Sequence, residues 1–330
     1  MIALLLFAFW DHSYTIDIQT AYDDNVYTYS QSYIDDFLGS VRSYRFPFET
    51  YDDLVTSVDF ALLVRNKFFL NRTTTFSLGI NTDNYLVNNQ KNHQRYSFGV
   101  RQSLGDYAIR LSYEWTPDYL IRYYRDPYGA STEYIGCEVA YHDVTGKVSY
   151  TTAQGITLHA AYGHRWDNYI DEFSRYDARA HIVSFGIEKK LHKRLDFAFI
   201  YDYKSSRADS GSTATLDTAF TPDGSYDEHA IKTDITLQTG VLGATALSCS
   251  YAYAYRHYLS ETADDILHFG RFDNIHRVRL STRSRITTGV MFILSATRQW
   301  RTVSSEVLPD IDEIKGYARH IAGAGLEFYY

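Results

Sequence analysis

From Arg277 to Arg285 every second residue is polar: Arg277, Arg279, Ser281, Arg283 and Arg285. Val278, Leu280 and Thr282 stand between them. An extended chain sends alternate side chains to opposite faces, so the four arginines share one face. Like charges two residues apart on a face repel, and such a ladder needs carboxylates, water or anions around it. Arg256, Arg301 and Arg319 occupy the same face of neighbouring alternating segments, and Arg95, Arg101 and Arg110 do so earlier in the chain. Glu188, Asp196, Asp202 and Asp234 bring the opposite sign to that face from segments in between. The chemistry is electrostatic. It is either a wall that neutralises itself or an aqueous passage between walls of opposed charge.

Acid–base and covalent chemistry have no comparable constellation. His159, His164, His181 and His257 lie on different segments, and none falls beside a serine and a carboxylate. His164 with Trp166 reads as an interfacial pair. There is no glycine-rich phosphate loop, His-Glu-x-x-His pair or nucleophile elbow. Carboxylates cluster at residues 23–36, 167–173, 262–265 and 309–313, without EF-hand spacing, and read as solvated loops. The expectation is a chain with no catalytic residues, no cofactor and no bound metal.

The elements that carry these residues are strands. Leu54, Thr56, Val58, Phe60, Leu62 and Val64 alternate with polar or small residues, as do Leu195, Phe197, Phe199, Tyr201 and Tyr203. About fourteen such segments can be counted. In the segment 135–150 the apolar parity changes, which predicts a bulge near His142 and Asp143. The chain ends KGYARHIAGAGLEFYY, with Ala322, Ala324, Leu326, Phe328 and Tyr330 on one face. Ending on an apolar face at an aromatic is unusual in water, where termini fray into solvent.

The connections alternate in length. Short ones fall at 66–72, 103–106, 152–155, 189–194, 239–244 and 285–288. Long ones fall at 23–53, 83–93, 116–132, 167–178, 205–228, 260–274 and 301–315. Short turns at one end and long loops at the other are the plan of a transmembrane barrel. The composition agrees. The 31 Tyr and 19 Phe favour strands and membrane–water interfaces, and the 5 Pro leave the ladders uninterrupted. A mean hydropathy of −0.33 excludes a helical membrane bundle but suits a barrel with a polar lumen. The net charge of −8 argues against nucleic acid as a partner. Cys137 and Cys249 fit no metal spacing and read as small fillers at or near lipid-facing positions. The expected fold is all-β: a closed antiparallel transmembrane β-barrel of about fourteen strands, over residues 13–330, with both termini periplasmic. Residues 1–12 begin with an apolar run too short to span a bilayer as a helix and read as a secretion-signal remnant or leader.

After the first strand comes AYDDNVY, Ala21 to Tyr27. This stretch, with the closing strand, resembles Gram-negative outer-membrane barrels in which Tyr-Asp-x-Asn-Val follows strand 1. Among them are the barrels of polysaccharide-export and surface-lipoprotein-assembly proteins. The resemblance implies a bacterial outer-membrane location and an assembly signal in Leu326, Phe328 and Tyr330. It implies as partners outer-membrane lipid and lipopolysaccharide, and the barrel-assembly machinery. Two functional expectations follow. One is a pore or export channel for polar solutes or polysaccharide. The other is a non-conducting assembly or structural barrel that acts through its surface loops or a periplasmic partner.

Overall fold

The computed structural model describes residues 10–130, 132–209, 223–240 and 245–330. Among them fourteen strands form one closed sheet. The first seven are β1 (Asp11–Asp23), β2 (Asp53–Lys67), β3 (Thr73–Tyr85), β4 (His93–Leu104), β5 (Tyr107–Arg125), β6 (Tyr134–Thr151) and β7 (Ile156–Tyr169). The others are β8 (Ala178–His192), β9 (Leu195–Ala208), β10 (Tyr226–Gln238), β11 (Ala246–Tyr258), β12 (Arg271–Thr287), β13 (Val290–Ser305) and β14 (Tyr317–Tyr329). Each strand pairs antiparallel with its sequence neighbours, and β14 closes on β1. The leader expected over residues 1–12 falls largely outside the described residues, and β1 starts at Asp11.

Register fixes the faces, because directly opposed residues on paired strands share a side. Ile18 opposes Val58 and Leu326; Val100 opposes Phe76 and Leu111; Leu280 opposes Cys249 and Ala296. These residues form an outward apolar belt, and Leu111, Phe185 and Leu280 are exposed. An arginine turned onto such a belt near the membrane midplane would cost about 2–4 kcal/mol, so the alternation is hard to reverse.

Closure depends on two glycines. A Cβ on Gly323 would lie 2.7 Å from the Ala21 Cβ, and one on Gly325 would lie 2.5 Å from the Ile18 carbonyl. The ladder ends with reciprocal Tyr14 and Tyr330 backbone hydrogen bonds of 3.1 and 3.0 Å, and their rings stack at 5.2 Å. Both ends of the β1–β14 pair therefore stand at the short-turn end of the barrel.

Three expectations need correction. First, the segment placed in a loop over 116–132 is largely strand, since β5 continues to Arg125. Its register with β6 shifts at Thr116/Tyr119 and Leu120/Arg122, around Pro117, whose missing N–H interrupts a ladder without ending it. Second, β6 pairs with β7 without a shift through His142 and Asp143, so the predicted bulge is absent there. The parity change has another cause: near the long loops the inner wall is itself apolar, and Val139 and Tyr141 face it. Third, Cys137 lies on that inner side and is buried, whereas Cys249 is exposed on the outer face.

The apolar inner wall exists because the first long loop folds into the barrel. Helix α1 (Gln31–Leu38) starts at Ser30, whose hydroxyl accepts the Tyr33 N–H at 3.4 Å. Around it, Val26, Tyr27, Tyr29 and Phe46 pack on the inward side chains Val55, Tyr85 and Leu120 of β2, β3 and β5. Tyr27 is fully buried, with its ring 4.3 Å from that of Phe48. The main apolar core is therefore in the mouth of the barrel, against one part of its wall.

Candidate functional site

The residues after β1 turn the chain inward. Arg319 of β14 holds the buried Asp23 carboxylate. The Asn25 side-chain amide donates to Tyr29 O at 2.8 Å and Ala318 O at 3.0 Å, while its own oxygen accepts the Tyr29 N–H at 2.8 Å. Val26 N donates to Tyr51 O at 2.9 Å, which ties the start of the loop to its end. The Tyr-Asp-x-Asn-Val stretch thus has a local structural role as the hinge that sends the loop into the lumen.

The second long loop locks the first. The Asp53 carboxylate accepts the Leu86, Val87 and Asn88 N–H groups at 3.1, 3.1 and 2.7 Å. Lys91 lies beneath Tyr27 with its ammonium 4.8 Å from the ring centre. It donates to Leu120 O at 2.7 Å and Ile121 O at 3.1 Å. β4 pairs with β5 only as far as Trp115, so Lys91 serves carbonyls on the stretch of β5 that has outrun its neighbour.

The arginine ladder stands on the inner wall of β12. Val278 opposes Tyr251 and Arg298 on the outer face, so Arg277 and Arg279 point inward, as do Arg283 and Arg285. All four are exposed although they face the lumen. Arg283 lies 3.3 Å from Glu327 of β14, which a side chain two strands away can reach only through the interior. Among the described residues, Arg277, Arg279 and Arg285 have no ion pair within 4.0 Å. Arg101 and Arg110 oppose each other on β4 and β5 and line a cavity of about 320 Å³ near the short turns, with Lys147 and Glu188. Arg95 is exposed on the inner face of β4.

The acidic residues do not meet the ladder. Asp234 pairs with Lys232 of its own strand at 2.9 Å, and Glu188 lies 3.7 Å from His159. Asp196 and Asp202 are half-buried on the inner face of β9. The structure keeps the two sets of charges apart.

The other three arginines lie near the long loops. Arg256 donates to Glu228 at 2.8 and 2.7 Å. Arg301 donates to Lys315 O at 2.8 Å and comes within 3.7 Å of Asp273. Arg319 is held by Asp23. In this region the lumen opens into a cavity of about 820 Å³, lined among the described residues by nine arginines and lysines and two carboxylates, Asp167 and Glu228.

The histidines do not assemble a nucleophilic site. His164 and His181 touch at 3.3 Å on the outer face, His257 stacks on Phe272, and His159 is buried inside. Among the described residues, no group of three or more His, Cys, Asp or Glu could hold a metal ion.

No protein-family model matches the chain, and no curated protein does. Solved structures of similar shape are barrels. CdiB from Acinetobacter baumannii is 11% identical, with a TM-score of 0.51 over 97% of this chain and 60% of that one. An anion-selective porin from Comamonas acidovorans is 9% identical, with a TM-score of 0.45 over 97% of this chain and 99% of that one. The fold is that of the Gram-negative outer-membrane barrels. An outer-membrane barrel of this kind sits in the bacterial outer membrane with its apolar belt in lipid.

In this outer-membrane barrel Leu326 and Phe328 face outward on β14, and Tyr330 lies against Tyr14 at the seam. Sequence reasoning missed most of the large cavity: Arg122, Arg165, Lys204, Arg271 and Lys315 line it beside Arg256 and Arg301. Arg122, Arg165, Lys204 and Arg271 stand on four different strands, and Lys315 is the last residue of a short helix, Ile311–Lys315. Only parity could have flagged the strand positions, and nothing in the sequence brings them together.

Proposed function

We propose that the protein is an aqueous pore of the outer membrane that passes polar solutes and weakly prefers anions. The observation that carries this reading is the set of inward arginines on β12 that are exposed and, apart from Arg283, have no ion pair among the described residues. Side chains that face inward and still reach solvent imply a wet lumen. Arg277, Arg279 and Arg285, which have no ion pair among the described residues, keep their field for the solute. Arg277, Arg279 and Arg283 are the main determinants of charge preference. The long loops face the cell exterior, where they meet lipopolysaccharide, and both termini face the periplasm. The assembly machinery reads Leu326, Phe328 and Tyr330 on the closing strand.

Single-channel recording in a planar bilayer tests the reading, with folding established by heat-modifiable gel mobility. Discrete conductance steps are expected. The inward-folded first loop, with its own apolar core, favours a second reading: a barrel that acts through its loops or a periplasmic partner without conducting. Folded protein that gives no conductance selects that reading.

A further inference from the structure

We propose that the cavity near the long loops is a binding site for a carboxylate-bearing saccharide. The proposal rests on the pore reading for how the ligand arrives and names the class of solute. At about 820 Å³ the cavity lies within the ~300–1,000 Å³ of small-molecule sites. Among the described residues, nine basic against two acidic lining residues give it a positive field. Arg122, Lys204 and Lys315 have no ion pair among the described residues. Arg122 is only 7% exposed, and its Nε donates to the Tyr124 hydroxyl at 2.8 Å. Burial and the adjacent Arg122, Arg271 and Arg301 hold the Lys315 pKa well below the ordinary lysine value.

The geometry favours a planar carboxylate. Arg271 shows the two-pronged carboxylate contact, with both oxygens of Asp273 at 2.7 Å, and Arg256 places two nitrogens on one Glu228 oxygen at 2.8 and 2.7 Å. Tyrosine faces lie against the guanidiniums. Arg122 lies 4.8 Å from the Tyr124 ring centre, Arg165 4.0 Å from Tyr141 and Arg256 4.0 Å from Tyr226. Tyr29, Tyr134 and Tyr169 line the same space. Aromatic faces give the C–H side of a sugar ring an apolar bed, while the free cations take its carboxylate.

Calorimetric titration of the purified, detergent-folded protein tests the site, using trigalacturonate, maltotriose and inorganic phosphate as probes. Trigalacturonate is expected to bind saturably, with the other two at least about tenfold weaker. The Arg122→Gln/Lys315→Gln variant is expected to lose about tenfold in affinity for trigalacturonate. Lys315→Gln alone, outside the strands, is expected to weaken binding in the same direction if the double variant does not fold. No binding, equal binding of maltotriose or phosphate, or wild-type affinity in the folded variants would overturn the proposal. Conductance without binding would remove the site and leave the pore. Binding without conductance would do the reverse.

Discussion

Arg319 Nε lies 2.9 Å from both carboxylate oxygens of Asp23, across the seam where the last strand meets the first. The pair closes the barrel at the level where the first loop turns inward. Asp23 is 1% exposed, so removing its charge strands a guanidinium in a half-buried place. Asp23→Asn is expected to cost about 3 kcal/mol or more. The temperature at which the folded gel band is lost checks this. An unchanged temperature would contradict a role for the pair in closure.

The Lys91 ammonium carries a pH signature. Burial, with Arg319 and Arg122 nearby, lowers its pKa to about 7. In the unfolded chain it keeps its proton up to about pH 10.4. Between these values the unfolded chain binds the extra proton, so this contribution to stability rises with pH above about 7 and is flat below it. The unfolding free energy of the wild type minus that of Lys91→Gln should therefore increase between about pH 7 and pH 9, by at most about 1.4 kcal/mol per pH unit. A difference that stays constant or falls would mean the site holds a charged lysine throughout.

Orientation is open to trypsin. Arg42 lies in the first long loop with half of its side chain exposed, whereas Lys193 and Arg194 form the short turn between β8 and β9. Trypsin added to intact cells is expected to cut after Arg42 and spare that turn. Cleavage after Lys193 with Arg42 intact would reverse the orientation.

The closing strand gives a biogenesis prediction. Deleting residues 328–330 removes Phe328 and the Tyr330 contacts with Tyr14. Quantified in membrane fractions, the truncated protein is expected to be depleted from the outer membrane and degraded in the periplasm. Normal levels there would contradict the assembly-signal reading.

The barrel was legible because lipid is an unforgiving solvent. Val278 and Leu280 must face it, which sends Arg277 and Arg279 inward without any knowledge of contacts. The seam was legible for the same reason, from Leu326 and Phe328. Legibility ended where the inner wall becomes apolar. Cys137, Val139 and Tyr141 carry a lipid-facing signature but face the packed mouth, so parity misread them. The loop expected from residue 116 is strand as far as Arg125, past Pro117. The loop core of Tyr27, Tyr29 and Phe46 could not be foreseen, because its aromatics have no period and their partners are on β2, β3 and β5.

The central claim is that the lumen is wet and that its basic wall sets the charge preference. The reversal potential in a salt gradient across a bilayer tests it most directly, comparing wild type with the Arg277→Ser/Arg279→Ser/Arg283→Ser variant. The account predicts a wild-type potential displaced toward anion selectivity and a clear shift of the variant toward cations. A wild type that conducts with no anion preference, or a folded variant with an unshifted potential, would contradict it.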